Sequence, residues 1–158
     1  MSPASRRQRG FTLVEMLVTI AIAALLGVMV VPNLIDMVDS GKTSVLINKF
    51  PQDVAWARNQ AVTTQQTVSM TLSTSGCDWQ TTVNGNVIAE HSMTSASTLY
   101  PGVQCTITNP PTGGALTFDS QGFVNAAPTI TVTAKQGQTW TLQVLASGSV
   151  ILNANTAS

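Results

Sequence analysis

The chain has 158 residues, a length that suits one globular domain with an appended segment better than two domains. Only 9% of the residues are charged and 44% are hydrophobic, a composition that excludes a highly charged disordered chain and indicates that part of the sequence meets lipid. The formal net charge is zero, but three of the seven basic residues precede Gly10, so the remainder of the chain has too few cations for broad phosphate binding.

Residues 11–31 form an apolar run in which Glu15 is the only charge. A helix of about 21 residues spans roughly 30 Å, the thickness of the hydrocarbon core of a bilayer. Because basic residues are retained on the cytoplasmic side, the arginines before the run place everything after residue 31 on the far face, which in a bacterium is the periplasm. Two alternatives to a membrane-spanning helix are a cleaved secretory signal and a buried core helix. The apolar residues continue past Ala23, where a signal would be cleaved, and a core helix explains neither Glu15 nor the arginines.

Glu15 is an unusual residue for an apolar segment. A carboxylate at the bilayer centre costs about 2.5 kcal/mol or more, somewhat less near the end of the helix. No basic residue lies within a helical turn after it. Cleavage after Gly10 would create an α-amino group on Phe11, one helical turn from Glu15, and a neighbouring chain would offer the same amine. The sequence therefore predicts that Glu15 pairs with an amino terminus.

Residues 9–15 (RGFTLVE) resemble the processing site of type IV pilins and type II secretion pseudopilins. This resemblance implies that a prepilin peptidase cleaves after Gly10 and that Phe11 becomes N-methylated. It also implies that Glu15 acts in filament assembly by pairing with an amino terminus. Pro32 falls where pilin helices commonly bend, and a proline inside a helix removes one backbone hydrogen bond, so a kink is predicted there.

After Pro32 the pattern is that of an amphipathic helix, over residues 32–65. Its apolar positions recur at spacings of three and four residues, which places one face against a core. These positions are Leu46 or Ile47, Phe50, Val54, Ala57 and Ala61. Pro51 lies within the stripe and predicts a second bend or a fresh helix start.

The remaining residues, 66–158, are rich in serine and threonine and alternate between polar and apolar residues, as half-buried strands do. Predicted strands cover residues 68–72, 129–134 and 139–144, and turn sequences lie at 84–86, 109–114, 119–122 and 135–138. We therefore expect an α+β fold in which a long helix packs on an antiparallel sheet.

Cys77 and Cys105 are the two cysteines of the chain, and both lie in the part predicted to be periplasmic. An oxidising compartment favours a disulfide between them. A redox pair would need a CxxC-like spacing, and a metal site would need further ligands. No metal ion or cofactor is expected.

Catalytic chemistry has little support in the sequence. His91 is the single histidine, no GxSxG motif accompanies it, and it is expected on an exposed loop or strand. The acidic residues form no metal-loop pattern, and the glycine-rich segments lack a P-loop lysine. The sequence therefore predicts a protein that is not an enzyme.

Similarity to the FimT, FimU and GspH group of minor subunits extends beyond the amino terminus. Residues 57–61 (ARNQA) and 67–70 resemble the helix end and first strand of the group, and residues 116–122 and 139–144 resemble its carboxy-terminal strands.

Some FimT-type pilins bind DNA through a Gly-Arg-x-Arg motif. The matching residues 148–151 (GSVI) lack both arginines, so nucleic acid is not an expected partner.

The resemblance implies a type IV pilin-like fold in four parts: a leader (1–10), a transmembrane and filament-core helix (11–31), an amphipathic helix (32–65) and a periplasmic β-rich domain (66–158). The implied function is a structural minor pilin that is anchored in the inner membrane and then joins other pilins in a helical filament, to prime or cap a type IV pilus. The alternatives are a minor pseudopilin of a type II secretion system and an anchored binding module that never assembles.

Overall fold

The computed structural model describes residues 11–73 and 77–155, which form one long helix followed by eight short strands. The helix is α1 (Leu13–Thr64), and the strands are β1 (Val68–Leu72), β2 (Trp79–Val83), β3 (Asn86–Val87), β4 (Gln104–Thr108), β5 (Ala115–Phe118), β6 (Thr129–Thr133), β7 (Thr139–Val144) and β8 (Val150–Asn155). Two 3-10 turns (Ala89–His91 and Thr112–Gly114) and a one-turn helix α2 (Ala96–Leu99) lie in the connections. The chain divides into two compact units, residues 1–38 and residues 39–158.

The second half of α1 is the amphipathic helix that the sequence predicts. The predicted apolar stripe is buried in full, with both Leu46 and Ile47 inside it. The fresh helix start expected at Pro51 is wrong, because α1 is one helix throughout. A proline costs one backbone hydrogen bond, but its neighbours Phe50 and Val54 are buried, and packing of an apolar face is the main source of helix stability in proteins. The kink at Pro32 stays a prediction.

The strands form two four-stranded antiparallel sheets, not the single sheet that the sequence suggests. The first sheet has the order β3-β2-β1-β5, and the second has the order β4-β6-β7-β8. The predicted strands at β1, β6 and β7 are confirmed. The turn predicted at residues 84–86 is also confirmed, since Asn84 and Gly85, both with positive φ, connect β2 to β3 as a tight hairpin.

One hydrophobic cluster joins α1 to the inner faces of both sheets. Strands alternate as expected for sheets with one buried face: in β6, Ile130 and Val132 point inward and the threonines between them point outward. Phe50 of α1 meets Trp79 of β2 edge to face, with ring centroids 5.3 Å apart. The core of the unit formed by residues 39–158 therefore lies between the helix and the two sheets.

A disulfide joins Cys77 to Cys105, with the two Cα atoms 5.2 Å apart. The predicted bridge is thus confirmed. Cys77 lies just before β2 of the first sheet, and Cys105 lies in β4 at the edge of the second sheet. The bridge therefore ties one sheet covalently to the other.

Candidate assembly site

The start of α1 has the hydrogen bonding of a helix cap. The hydroxyl Oγ1 of Thr12 accepts a hydrogen bond from the backbone N–H of Glu15 (3.2 Å), and the N–H of Met16 donates to the carbonyl oxygen of Thr12 (3.2 Å). Threonine followed three residues later by glutamate is the capping-box pattern of a helix amino terminus. Sequence reasoning assigned Glu15 to ion pairing alone and missed this cap, although the Thr12–Glu15 spacing was the signal for it.

Glu15 is an exposed acidic residue in the first turn of α1. The amino-terminal end of a helix carries a partial positive charge, so a carboxylate is favoured there. Neither of the ion pairs within residues 11–73 and 77–155 involves Glu15. The carboxylate can therefore accept a cation, and an α-amino group on Phe11 would lie within one helical turn. Gly10, the predicted cleavage position, lies outside the described residues.

The first part of α1 exposes apolar side chains on every side. Between residues 11 and 28, large apolar residues recur without the gap that a polar face would leave. They are Phe11 (77% exposed), Leu13, Val14, Met16, Leu17, Val18, Ile20, Ile22, Leu25, Leu26 and Val28. Burying one such side chain completely contributes about 1.5–3 kcal/mol, so this surface strongly favours an apolar environment.

Among the helices of the described residues, none combines the length and the apolar character that crossing a membrane requires.

A polar cluster in the body of the protein surrounds the buried carboxylate of Asp53, which is 2% exposed. The indole N–H of Trp79 donates to its Oδ2 (2.8 Å), Nζ of Lys49 lies 2.9 Å from the same oxygen, and Nδ1 of His91 lies 3.0 Å from Oδ1. The ring of His91 stacks on that of Trp56, with centroids 4.0 Å apart. The prediction of an exposed His91 is therefore wrong, because a carboxylate and an aromatic ring of α1 hold it half-buried.

The Asp53 cluster fastens α1 to β2 and to the turn Ala89–His91. Nζ of Lys49 also donates to the carbonyl oxygen of Glu90 (2.8 Å), so each neighbouring segment contributes at least one hydrogen bond. Within the part of the chain that the structure describes, no three His, Cys, Asp or Glu side chains converge as metal ligands would. A buried carboxylate that accepts hydrogen bonds from several segments holds these segments together, and we call this structural role a clamp.

Replacing Asp53 with alanine is expected to lower the free energy of unfolding by about 3 kcal/mol, because the indole N–H of Trp79 and the ammonium of Lys49 lose their buried acceptor. Chemical denaturation of the purified full chain measures the change. Glu90→Ala is the matched control, since its side chain is exposed on the neighbouring turn and a change within about 0.5 kcal/mol is expected. Equal effects of the two variants would contradict the clamp.

Two family models match the sequence. The prokaryotic N-terminal methylation motif matches residues 5–31, and type II transport protein GspH matches residues 46–148, well over half of the chain. The chain belongs to the GspH family. Membership of the GspH family identifies it as a subunit of the minor pilin and pseudopilin type, a type that is membrane-anchored and then enters a filament.

Solved structures with the same fold support the type IV pilin-like architecture of this GspH-family chain. The type IV minor pilin FimU of Pseudomonas aeruginosa (strain PAO1) is 14% identical with a TM-score of 0.54, over 77% of this chain and 98% of that chain. The minor pseudopilin EpsH from the Type 2 Secretion System of Vibrio cholerae is 16% identical with a TM-score of 0.53, over 70% of this chain and 95% of that chain. No curated protein matches the sequence. Both a FimU-like and a GspH-like assignment fit these similarities.

Proposed function

We propose that this GspH-family chain is a structural minor pilin of a type IV pilus, cleaved by prepilin peptidase after Gly10 and methylated on Phe11. It spans the bacterial inner membrane once through residues 11–31, with its body in the periplasm, and then enters the fibre to prime or cap it. The observation that carries this proposal is the start of α1, where the exposed carboxylate of Glu15 lies in the first turn and residues 11–28 expose apolar side chains on all sides of the helix.

Assembly follows from the chemistry of this helix. Transfer from lipid into a bundle of equivalent helices replaces one apolar environment with another, so the hydrophobic surface remains covered throughout. Glu15 supplies the specificity, because a carboxylate inside such a bundle is stable only when a cation accompanies it. The amino terminus of a neighbouring subunit provides that cation, and their pairing sets the axial register of the incoming chain.

A minor pseudopilin of a type II secretion system is the second candidate. The description of the matching family model and the similarity to EpsH favour it. Processing and helix packing are the same in both machines, and neither role requires catalysis or a cofactor. The two candidates differ in where the finished filament lies, at the cell surface or in the periplasm.

Mass spectrometry of fibres sheared from the cell surface, beside the membrane fraction, tests the proposal. We expect a peptide that begins with N-methylated Phe11 in the sheared fibres. The same peptide found in membranes alone would favour the pseudopilus. Residues 1–10 still attached in both fractions would refute processing, and with it the pilin function.

A further inference from the structure

A groove of about 280 Å³ lies between α1 and the turn that leads into β8. Helix residues and turn residues form its two walls, and no acidic side chain is among them. The lining residues are Pro51, Ala55, Arg58 and Asn59 from α1 and Gly148, Ser149 and Val150 from the turn and strand. Arg58 is the only charged residue that lines it.

The stem of the Arg58 side chain lies against the backbone of two turns. Gly122 and Gly148 both have positive φ, 82° and 74°. A Cβ atom on Gly148 would lie 3.0 Å from Cδ of Arg58 and 2.7 Å from the carbonyl oxygen of Gly122, and one on Gly122 would lie 3.1 Å from Nε of Arg58. A side chain at either position would crowd the arginine stem, which passes between the two glycines.

Arg58 brings a charge to the groove without a counter-charge. Its Nε atom is buried and has no hydrogen-bond partner among the described residues. Both ion pairs in this part of the chain belong to Asp53, not to Arg58. Buried polar atoms are nearly always paired in folded proteins, and a guanidinium that is fixed beside an open groove is complementary to an anion.

We propose that the groove binds a carboxylate on a neighbouring pilin-like subunit, an inference that rests on the proposed function. One fixed guanidinium matches one carboxylate, with which it forms short charge-assisted hydrogen bonds. A nucleic acid needs several cations along a surface, and Lys135, the only other basic residue after Arg58, lines a different cavity. The hydroxyl of Ser149 supplies a neutral hydrogen-bonding group beside the charge.

The strand beside the groove indicates that the carboxylate belongs to a protein. β8 is an edge strand of the second sheet, and its Ile151 and Leu152 are 42% and 44% exposed. An exposed edge strand with apolar side chains is a template for association unless something covers it. A segment of the neighbouring subunit would cover β8 and place an acidic side chain on Arg58.

Photo-crosslinking in cells that assemble the filament tests this inference. A photoreactive residue at position 59 is combined with Arg58→Gln or, as the matched control, with Lys135→Gln, which removes one positive charge from another surface. Thermal unfolding of both variants identifies any loss of folding. We expect position 59 to crosslink to another pilin-like subunit, and Arg58→Gln to reduce the yield by at least about tenfold while Lys135→Gln leaves it unchanged.

Two results would overturn the inference. One is an equal crosslinking yield with and without Arg58 in folded protein. The other is crosslinking at position 59 to no subunit at all, although N-methylated Phe11 is present in the filament. In both cases the proposed function survives, since processing and incorporation are measured separately on the same samples. Failure of processing in the parent chain would instead remove the proposed function.

Discussion

Replacing Glu15 with leucine is expected to leave cleavage and N-methylation intact and to reduce incorporation into the filament by on the order of a hundredfold. The substitution makes the helix more apolar, so membrane insertion does not suffer. Under the proposed pairing, the amino terminus of a neighbouring subunit would then be buried in the filament without a carboxylate, and an unpaired buried charge costs about 3–5 kcal/mol. Quantitative immunoblots of sheared filaments against the membrane fraction measure the ratio.

The cap at the start of α1 makes a sharper control necessary, because Glu15 also occupies the third helical position of a capping box. Glu15→Gln preserves the capping box, since glutamine serves equally well there, but removes the charge. We expect it to be as defective as Glu15→Leu. Thr12→Ala removes the cap and keeps the charge, and its cost is expected to be about 1 kcal/mol of helix stability with near-normal incorporation. Normal incorporation of Glu15→Gln would contradict the pairing mechanism.

The double variant Cys77→Ser with Cys105→Ser is expected to lower the free energy of unfolding by about 3.5 kcal/mol. The bridge closes a loop with a sequence separation of 28 residues, and breaking it gives the unfolded chain more conformational freedom. For a body of this size the unfolding midpoint then falls by roughly 10 °C or more. Thermal unfolding of the purified full chain, followed by circular dichroism, measures the shift.

Reductant provides an internal control for the disulfide. The parent chain in excess reductant is expected to unfold at the midpoint of the double variant, and the double variant itself is expected to be insensitive to reductant. Each single serine variant breaks the same bridge and should behave like the pair. An unchanged midpoint in the variants would show that packing between the sheets, not the covalent link, determines the stability of the body.

The long helix and three of the eight strands in the described part of the chain were predictable because their signals are local. The helical stripe from Leu46 to Ala61 and the alternation in β1, β6 and β7 are visible in the sequence alone, and the structure confirms both. β8 was missed since residues 151–154 are all exposed, so its sequence shows no alternation between buried and exposed positions. The division into two sheets depends on β5 pairing with β1 and β4 pairing with β6, and such distant pairings leave no local pattern.

The functional residues divide in the same way. Glu15 stands out in the sequence as a lone charge in an apolar run, and the structure adds only its role in the cap. Asp53 gave no comparable signal, because its partners Trp79 and His91 are 26 and 38 residues away. Its position among the buried residues of the stripe, with Lys49 four residues earlier, was the one available indication. Arg58 becomes notable only when the turns at Gly122 and Gly148 close around it.

The order of the strands determines how the body can fold. β4 belongs to the second sheet, but the next strand, β5, returns to the first and pairs with β1. The strands of the two sheets are therefore interleaved along the chain, and both sheets share one hydrophobic core with α1. The pairing of β5 with β1 also requires closure of a long loop, which is slow. A chain that folds from its amino-terminal end would hold β1 unpaired on one side until β5 arrived. We expect refolding to proceed in one cooperative phase, so that a subunit becomes competent for assembly all at once.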